Sequence, residues 1–158
     1  MKKTVLTTLL LFGLISLSQA QDYTNAIGIR FGYGYGGNGG AGVTFKHYIN
    51  SNTAYEGILH VHNEGFMAVG LMEIHEAFGD TPGLYWFYGG GAHLGSYAYD
   101  SGNGIAIGVD GILGVEYNFL PELDLPINIT LDWKPAFNLL EETAFWWDDF
   151  NLSIRYAW

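Results

Sequence analysis

The sequence predicts an all-β fold, an antiparallel up-and-down transmembrane β-barrel of about eight strands, and three observations carry that prediction. Apolar side chains alternate with small or polar ones in one segment after another. The chain is 16% aromatic with 23 glycines but only 14% charged, against about 25% charged in an ordinary soluble domain. Past residue 21 no stretch approaches the roughly 18 consecutive apolar residues that would read as a membrane helix.

The first segment stands apart. Lys2 and Lys3 precede an apolar run from Val5 to Leu17 that ends at Ser18-Gln19-Ala20. A basic start, a short apolar core and small residues at the cleavage positions predict a signal peptide over residues 1–20, cut before Gln21. The run is shorter than the roughly 20 residues a spanning helix needs. The chain has no cysteine, so neither an acylated N-terminal cysteine nor a disulfide is expected. Residues 21–158 are enough for one domain.

Within that domain the strands follow in order. Ile27, Ile29, Phe31, Tyr33 and Tyr35 alternate with Gly28, Arg30, Gly32 and Gly34. A second strand over 41–49 sets Val43, Phe45 and Ile49 against Thr44, Lys46 and Tyr48, and others are expected over 54–62, 67–77 and 84–95. The clearest runs Ile105, Ile107, Val109, Gly111, Leu113, Val115, Tyr117, Phe119 on one face, against Ala106, Gly108, Asp110, Ile112, Gly114, Glu116 and Asn118. Ile127, Ile129, Leu131 and Trp133 alternate with Asn128, Thr130, Asp132 and Lys134, and Phe150 to Trp158 with Asn151, Ser153, Arg155 and Ala157. Turn chemistry separates them: 36–40, 50–52, 63–65, 79–83, 100–104 and the stretch from Pro121 to Pro126. Only 138–149 reads as a longer loop. Short connections make sequential strands antiparallel neighbours.

Charge decides which face points where. A soluble barrel would turn Arg30, Asp110, Glu116, Asp132, Lys134 and Arg155 to water, but so few charges would clothe a surface poorly, whereas they can pair inside a narrow lumen. Strands of about 9–13 residues are near the 9–11 a tilted strand needs to cross hydrocarbon. Tyr33, Tyr35, Trp86, Tyr88, Trp133, Trp146, Trp147, Tyr156 and Trp158 gather at strand ends, where aromatic girdles of a membrane barrel lie. The glycines are expected to relieve crowding where a narrow barrel curves, and Gly114, on the inner face, is expected to accept alanine with mild effect.

On these segments, and most of all on the last strand Phe150-Asn-Leu-Ser-Ile-Arg-Tyr-Ala-Trp158, the chain resembles the small eight-stranded outer-membrane barrels of the OmpA/OmpX type in their single-domain form. Leu84 to His93, Asp110 to Phe119 and Leu131 to Pro135 carry the rest of the likeness. The resemblance implies residence in the outer membrane of a Gram-negative cell, in contact with its lipid. It also implies that Phe150, Leu152, Ile154, Tyr156 and Trp158 form the signal read by the barrel-assembly machinery, with Trp158 where that family usually ends in Phe. The connections are shorter than the family's longest loops.

Glu56, His60 and His62 share one strand face and Glu73 and His75 the corresponding face of the next. Histidines two apart on a strand stand roughly 6.5–7 Å apart, a spacing open to a metal but diagnostic of none. A lumen polar network of Arg30, Glu56, His60, His62, Glu73, His75, Asp110, Glu116, Asp132, Lys134 and Arg155 is the expectation, with no metal and no cofactor. Gly32-Tyr-Gly34-Tyr-Gly36-Gly37 imitates a dinucleotide fingerprint but lacks its strand-to-helix context.

Without Lys2 and Lys3, four cations stand against sixteen acids, a formal charge of −12. Nucleic acid, bound through phosphate neutralisation, is therefore not an expected partner. Eight strands leave an interior just wide enough for side chains, and Tyr48, Tyr85, Phe87, Glu56 and Glu73 are expected in it, so an open pore is not anticipated. The expected function is a monomeric outer-membrane barrel with a structural or surface-interaction role. A lipid-modifying enzyme or a small-ligand barrel is the alternative, although Ser51, Ser96 and Ser101 sit in turn-like contexts that fix no triad.

Overall fold

The computed structural model describes residues 23–34, 38–62, 65–99, 102–140 and 144–158. The leader expected over 1–20, Tyr35 and the loop positions 36, 37, 63, 64, 100 and 101 lie outside them. Ten strands appear among the described residues: β1 (Asn25–Gly34), β2 (Asn38–Tyr48), β3 (Thr53–His62), β4 (Gly65–Ala77), β5 (Leu84–Tyr99), β6 (Gly102–Asn118), β7 (Ile127–Trp133), β8 (Ala136–Asn138), β9 (Ala144–Trp146) and β10 (Phe150–Ala157). Every pairing between them is antiparallel.

They make eight staves. Pro135 has no N–H, so the seventh stave breaks after Trp133 and resumes as β8, still paired to β6 through Asp110↔Ala136 and Gly108↔Asn138. The eighth is likewise divided into β9 and β10, with Lys134 N–H donating to Asp149 O at the join (2.8 Å). The ring runs β1-β2-β3-β4-β5-β6-β7-β10 and closes on β1, where Ala26 faces Ala157 and Tyr33 faces Phe150. Closure reaches the last residue, since Trp158 N–H donates to Asn25 O (2.8 Å) and Asn25 N–H to Trp158 O (2.9 Å).

Several boundaries differ from the sequence reading: Asn38, Gly39 and Gly40, read as part of a turn, pair with Gly34, Tyr33 and Gly32 and open β2, and Gly65, likewise read as turn, pairs with His62 and opens β4. The segment 138–149 is no simple loop, because β8 and β9 extend the last hairpin through Ala136↔Trp146 and Asn138↔Ala144. The turn read over 100–104 is tighter, since Gly102, Asn103 and Gly104 pair with Tyr99, Ala98 and Tyr97, which lengthens β5 and β6 to 16 and 17 residues. Pairing to a neighbour outweighs the turn preference of those residues. The stretch from Pro121 to Pro126 opens as one helical turn, α1 (Leu120–Leu123), with Pro121 in the first turn and Asp124 left-handed (φ 52°) behind it.

Facing is inside out compared with a soluble barrel. Along β10 and β3 exposed and buried residues alternate without a break. The exposed set is Ile27, Ile29, Phe31, Val43, Phe45, Leu59, Val61, Leu113, Val115, Leu131, Leu152 and Ile154, among others. The largest fully buried side chains begin with Arg30, Arg155, Lys46, Phe87 and Lys134. Every Lys and Arg beyond Lys3 is thus in the interior. Trp146 departs from the girdle expected of it: partly buried, it packs against the inner apolar cluster with its ring 5.7 Å from that of His93.

Candidate functional site

The interior is the site with the most chemistry, and period-two backbone geometry builds it. Each strand sends alternate side chains inward, so the even-numbered residues of β1, β2, β3 and β6 and the odd-numbered ones of β4 and β5 meet in one narrow space. Neighbouring glycines make room. A Cβ added at Gly91 would lie 1.8 Å from Gly70 O, and one at Gly28 would lie 2.0 Å from Ile154 O. The same holds at Gly114, where an added Cβ meets Phe87 Cζ at 2.5 Å and Asp132 Cβ at 2.8 Å. The mild effect expected of alanine there is therefore wrong, because a large ring on β5 already fills the space that the small residue leaves.

Within the lumen Lys46 is caged by three carboxylates. Its Nζ lies 2.8 Å from Glu73, 3.0 Å from Glu116 and 3.5 Å from Glu56, and 4.6 Å from the centre of the Phe87 ring. Lys46 on β2 and Glu116 on β6 stand on opposite staves, so their pair crosses the whole lumen. Arg155 on β10 reaches Glu56 on β3, and its remaining donors go to Thr130 (2.9 Å), Asn128 (3.2 Å) and Thr44 (3.3 Å). Thr44 donates in turn to Glu56. Such pairing is what makes buried charge tolerable, since an isolated ion in this environment costs several kcal/mol.

Towards the chain termini the network ends in phenols. Tyr23 donates to Glu116 (2.7 Å), accepts from Asn128 (3.0 Å) and sits edge-on to Tyr48, which also donates to Glu116 (3.1 Å). His75 lies 3.0 Å from Glu73 and stacks on Phe87 at 4.9 Å. Towards the other end Arg30 grips Asp132 with two bonds, 2.6 and 2.8 Å, and touches Ser153. Above it Lys134 bridges Asp110 (3.0 Å) and Asp149 (2.8 Å), His93 lies 2.8 Å from Asp110, and Asn151 donates to Asp149 (2.7 Å). Among the described residues six buried carboxylates thus face four cations, and two imidazoles touch Glu73 and Asp110.

All eleven residues assigned to the lumen from sequence are buried, but the histidine–glutamate cluster divides. Glu56, Glu73 and His75 belong to the cage around Lys46, whereas His60 and His62 lie further along β3, their rings 6.3 Å apart. Among the described residues no group of three or more His, Asp or Glu side chains is arranged to hold a metal. Phe150, Leu152, Ile154, Tyr156 and Trp158 all face outward.

Other network members carry weaker signals in the sequence. Lys46 shows the right alternation but nothing in the pattern joins it to the acids, and His93 shares a face with Tyr85 and Phe87. Thr44, Asn128, Thr130, Asn151 and Ser153 lie on the polar faces without a charge to mark them. Asp149 falls at the end of the segment read as a loop, and Tyr23 precedes the first alternating residue, so periodicity carries no signal for it.

The solved N-terminal β-barrel domain of Pseudomonas aeruginosa OprF superimposes with a TM-score of 0.67 over 86% of this chain and 98% of that domain, at 15% sequence identity. Neisserial surface protein A, NspA, overlays more loosely, with a TM-score of 0.45 over 84% of this chain and 92% of its own, at 9% identity. No protein-family model and no curated protein matches the sequence. At this identity the OprF domain bears on the fold, a small closed barrel of eight antiparallel strands.

Proposed function

We propose that this chain is an integral β-barrel of a Gram-negative outer membrane, monomeric, with a structural or surface-interaction role and a lumen closed to free diffusion. The inverted facing carries the reading: Ile, Leu, Val and Phe cover the outside while Arg30, Lys46, Lys134 and Arg155 are buried. In water that arrangement would expose an apolar belt far larger than the few hundred Å² a monomer tolerates, whereas in lipid the same belt meets its preferred medium. Complete closure supports it further, because hydrocarbon leaves no partner for an unpaired strand edge. The OprF domain supplies a fold-level analogy. The barrel-assembly machinery is the partner proposed for insertion.

The Lys46–Glu116 pair across the lumen supports a plugged interior. Refolding into phospholipid vesicles tests the membrane reading. The unboiled protein should run differently from the boiled one and resist added protease, and in planar bilayers it should show no steady conductance. A product that stays in the aqueous fraction would overturn membrane insertion, and a steady open channel would overturn the closed lumen.

A further inference from the structure

The outer wall has a groove that the barrel's own packing does not require. Inward glycines such as Gly91 and Gly28 have backbone against them, but Gly57 and Gly70 face outward, and a Cβ added to either meets nothing within 4 Å. They are cross-strand partners, flanked in register by Phe45 on β2 and Ala92 on β5. Glycine inside a strand costs stability, and where packing does not demand it, it marks close approach by something external. Around the pair lies a hollow of about 480 Å³ walled by Phe45, Tyr55 and Met72. A second hollow of about 290 Å³ shares Phe45 and Gly57 with it.

We infer that this groove is a binding site for one acyl chain of a phospholipid, a proposal that rests on the membrane reading above. The walls stand out from the surface, with Phe45, Tyr55 and Met72 each 44–51% exposed. The convex side of a second barrel cannot reach a floor set behind such walls. A slim, flexible alkyl chain can, and the groove is continuous with the belt that lipid covers. Its polar end selects an amphiphile. His47 lines the hollow with Tyr55, close to the 49–52 connection, and its Nδ1 lies 2.9 Å from Asn25 at the end of the barrel that holds both termini. The headgroup therefore sits at His47 and Tyr55, and the chain runs over Gly57 and Gly70 towards mid-membrane.

The test uses the full chain refolded into palmitoyl-oleoyl phosphatidylglycerol vesicles, released in mild detergent and weighed by native mass spectrometry. Wild type should carry one phospholipid. Gly57→Leu with Gly70→Leu, which fills the floor, should lower that occupancy about tenfold or more, while Val61→Leu, outward but outside the groove, should leave it unchanged. Should the leucine pair impair insertion, Gly57→Ala with Gly70→Ala makes the same comparison and should show a smaller loss. Inserted wild type without lipid, occupancy indifferent to either pair, or a dimer mass that the substitutions dissolve would each overturn the groove and leave the barrel standing. Failure of wild type to insert would overturn both.

Discussion

Lys46 is the residue on which the interior turns, because three carboxylates carried on three different strands touch it. Lys46→Met keeps most of the side-chain length and removes the charge, leaving Glu56 with Arg155, Glu73 with His75 and Glu56, and Glu116 with His75, Tyr23 and Tyr48. Removing one member of a buried ionic group typically costs about 3–5 kcal/mol. Urea unfolding in detergent micelles should show a loss of that order, and a change under 1 kcal/mol would mean that water, not Lys46, balances the cage. Glycine gives a second contrast. Gly114→Ala drives a Cβ against Phe87 and Asp132 and should cost about 1–3 kcal/mol as overpacking, while Gly57→Ala meets nothing and should fall within about 0.5 kcal/mol of wild type. Equal midpoints for the two variants would contradict the steric account. That difference was not legible in the sequence, where both are glycines in alternating segments. The facing of Arg30, Asp132 and Arg155 was legible, because alternation fixes the side of the sheet even when it cannot fix the partner.

At the scale of the strand, alternation located eight segments and their order, since each needs one apolar and one polar face whatever its neighbours are. Their ends were less legible: Gly102-Asn103-Gly104 and the run after Asn138 have turn-like composition, yet they pair because a strand already beside them offers unsatisfied backbone groups. The pattern of β6 makes a direct test. Leu113 faces outward, between Tyr88 on β5 and Trp133 on β7, and its neighbours in sequence face the lumen. Leu113→Arg puts a cation on the lipid face, where the cost rises to roughly 2–4 kcal/mol at the midplane, and should be seen as loss of the heat-modifiable band and of protease resistance in vesicles. Assembly equal to wild type would argue that this face does not meet lipid.

For the whole molecule the decisive contact is the seam between the first and last strands, because until it forms the barrel is an open sheet with two edges. Periodicity alone cannot pair segments more than a hundred residues apart, but closure in lipid requires a partner for the last edge. On that ground the strand ending at Trp158 is expected against the one around Ile27 to Tyr35, and the seam indeed lies where β10 meets β1. Eight residue pairs close it, from Ala26↔Ala157 to Tyr33↔Phe150, and Trp158 adds backbone hydrogen bonds to Asn25 and Thr24. Deleting Tyr156-Ala157-Trp158 removes the partners of Ala26 and Ile27, the bonds to Asn25 and the outward stack of Tyr156 on Trp158. The loss falls on the end of the seam next to Tyr23, where the interior is also closed by the Tyr23–Glu116 bond. In hydrocarbon the freed N–H and C=O groups have no water to turn to. If these outward aromatics are also what the assembly machinery reads, export across the inner membrane should proceed normally while the truncated chain collects unassembled in the periplasm and is degraded. Fractionation and protease sensitivity of cells expressing the two forms decide it. In a soluble protein the same deletion would lower stability without redirecting the product. A truncated chain that reaches the outer membrane and resists protease as the full-length chain does would show that the seam closes without its last three residues, and that Trp158 is no part of an insertion signal.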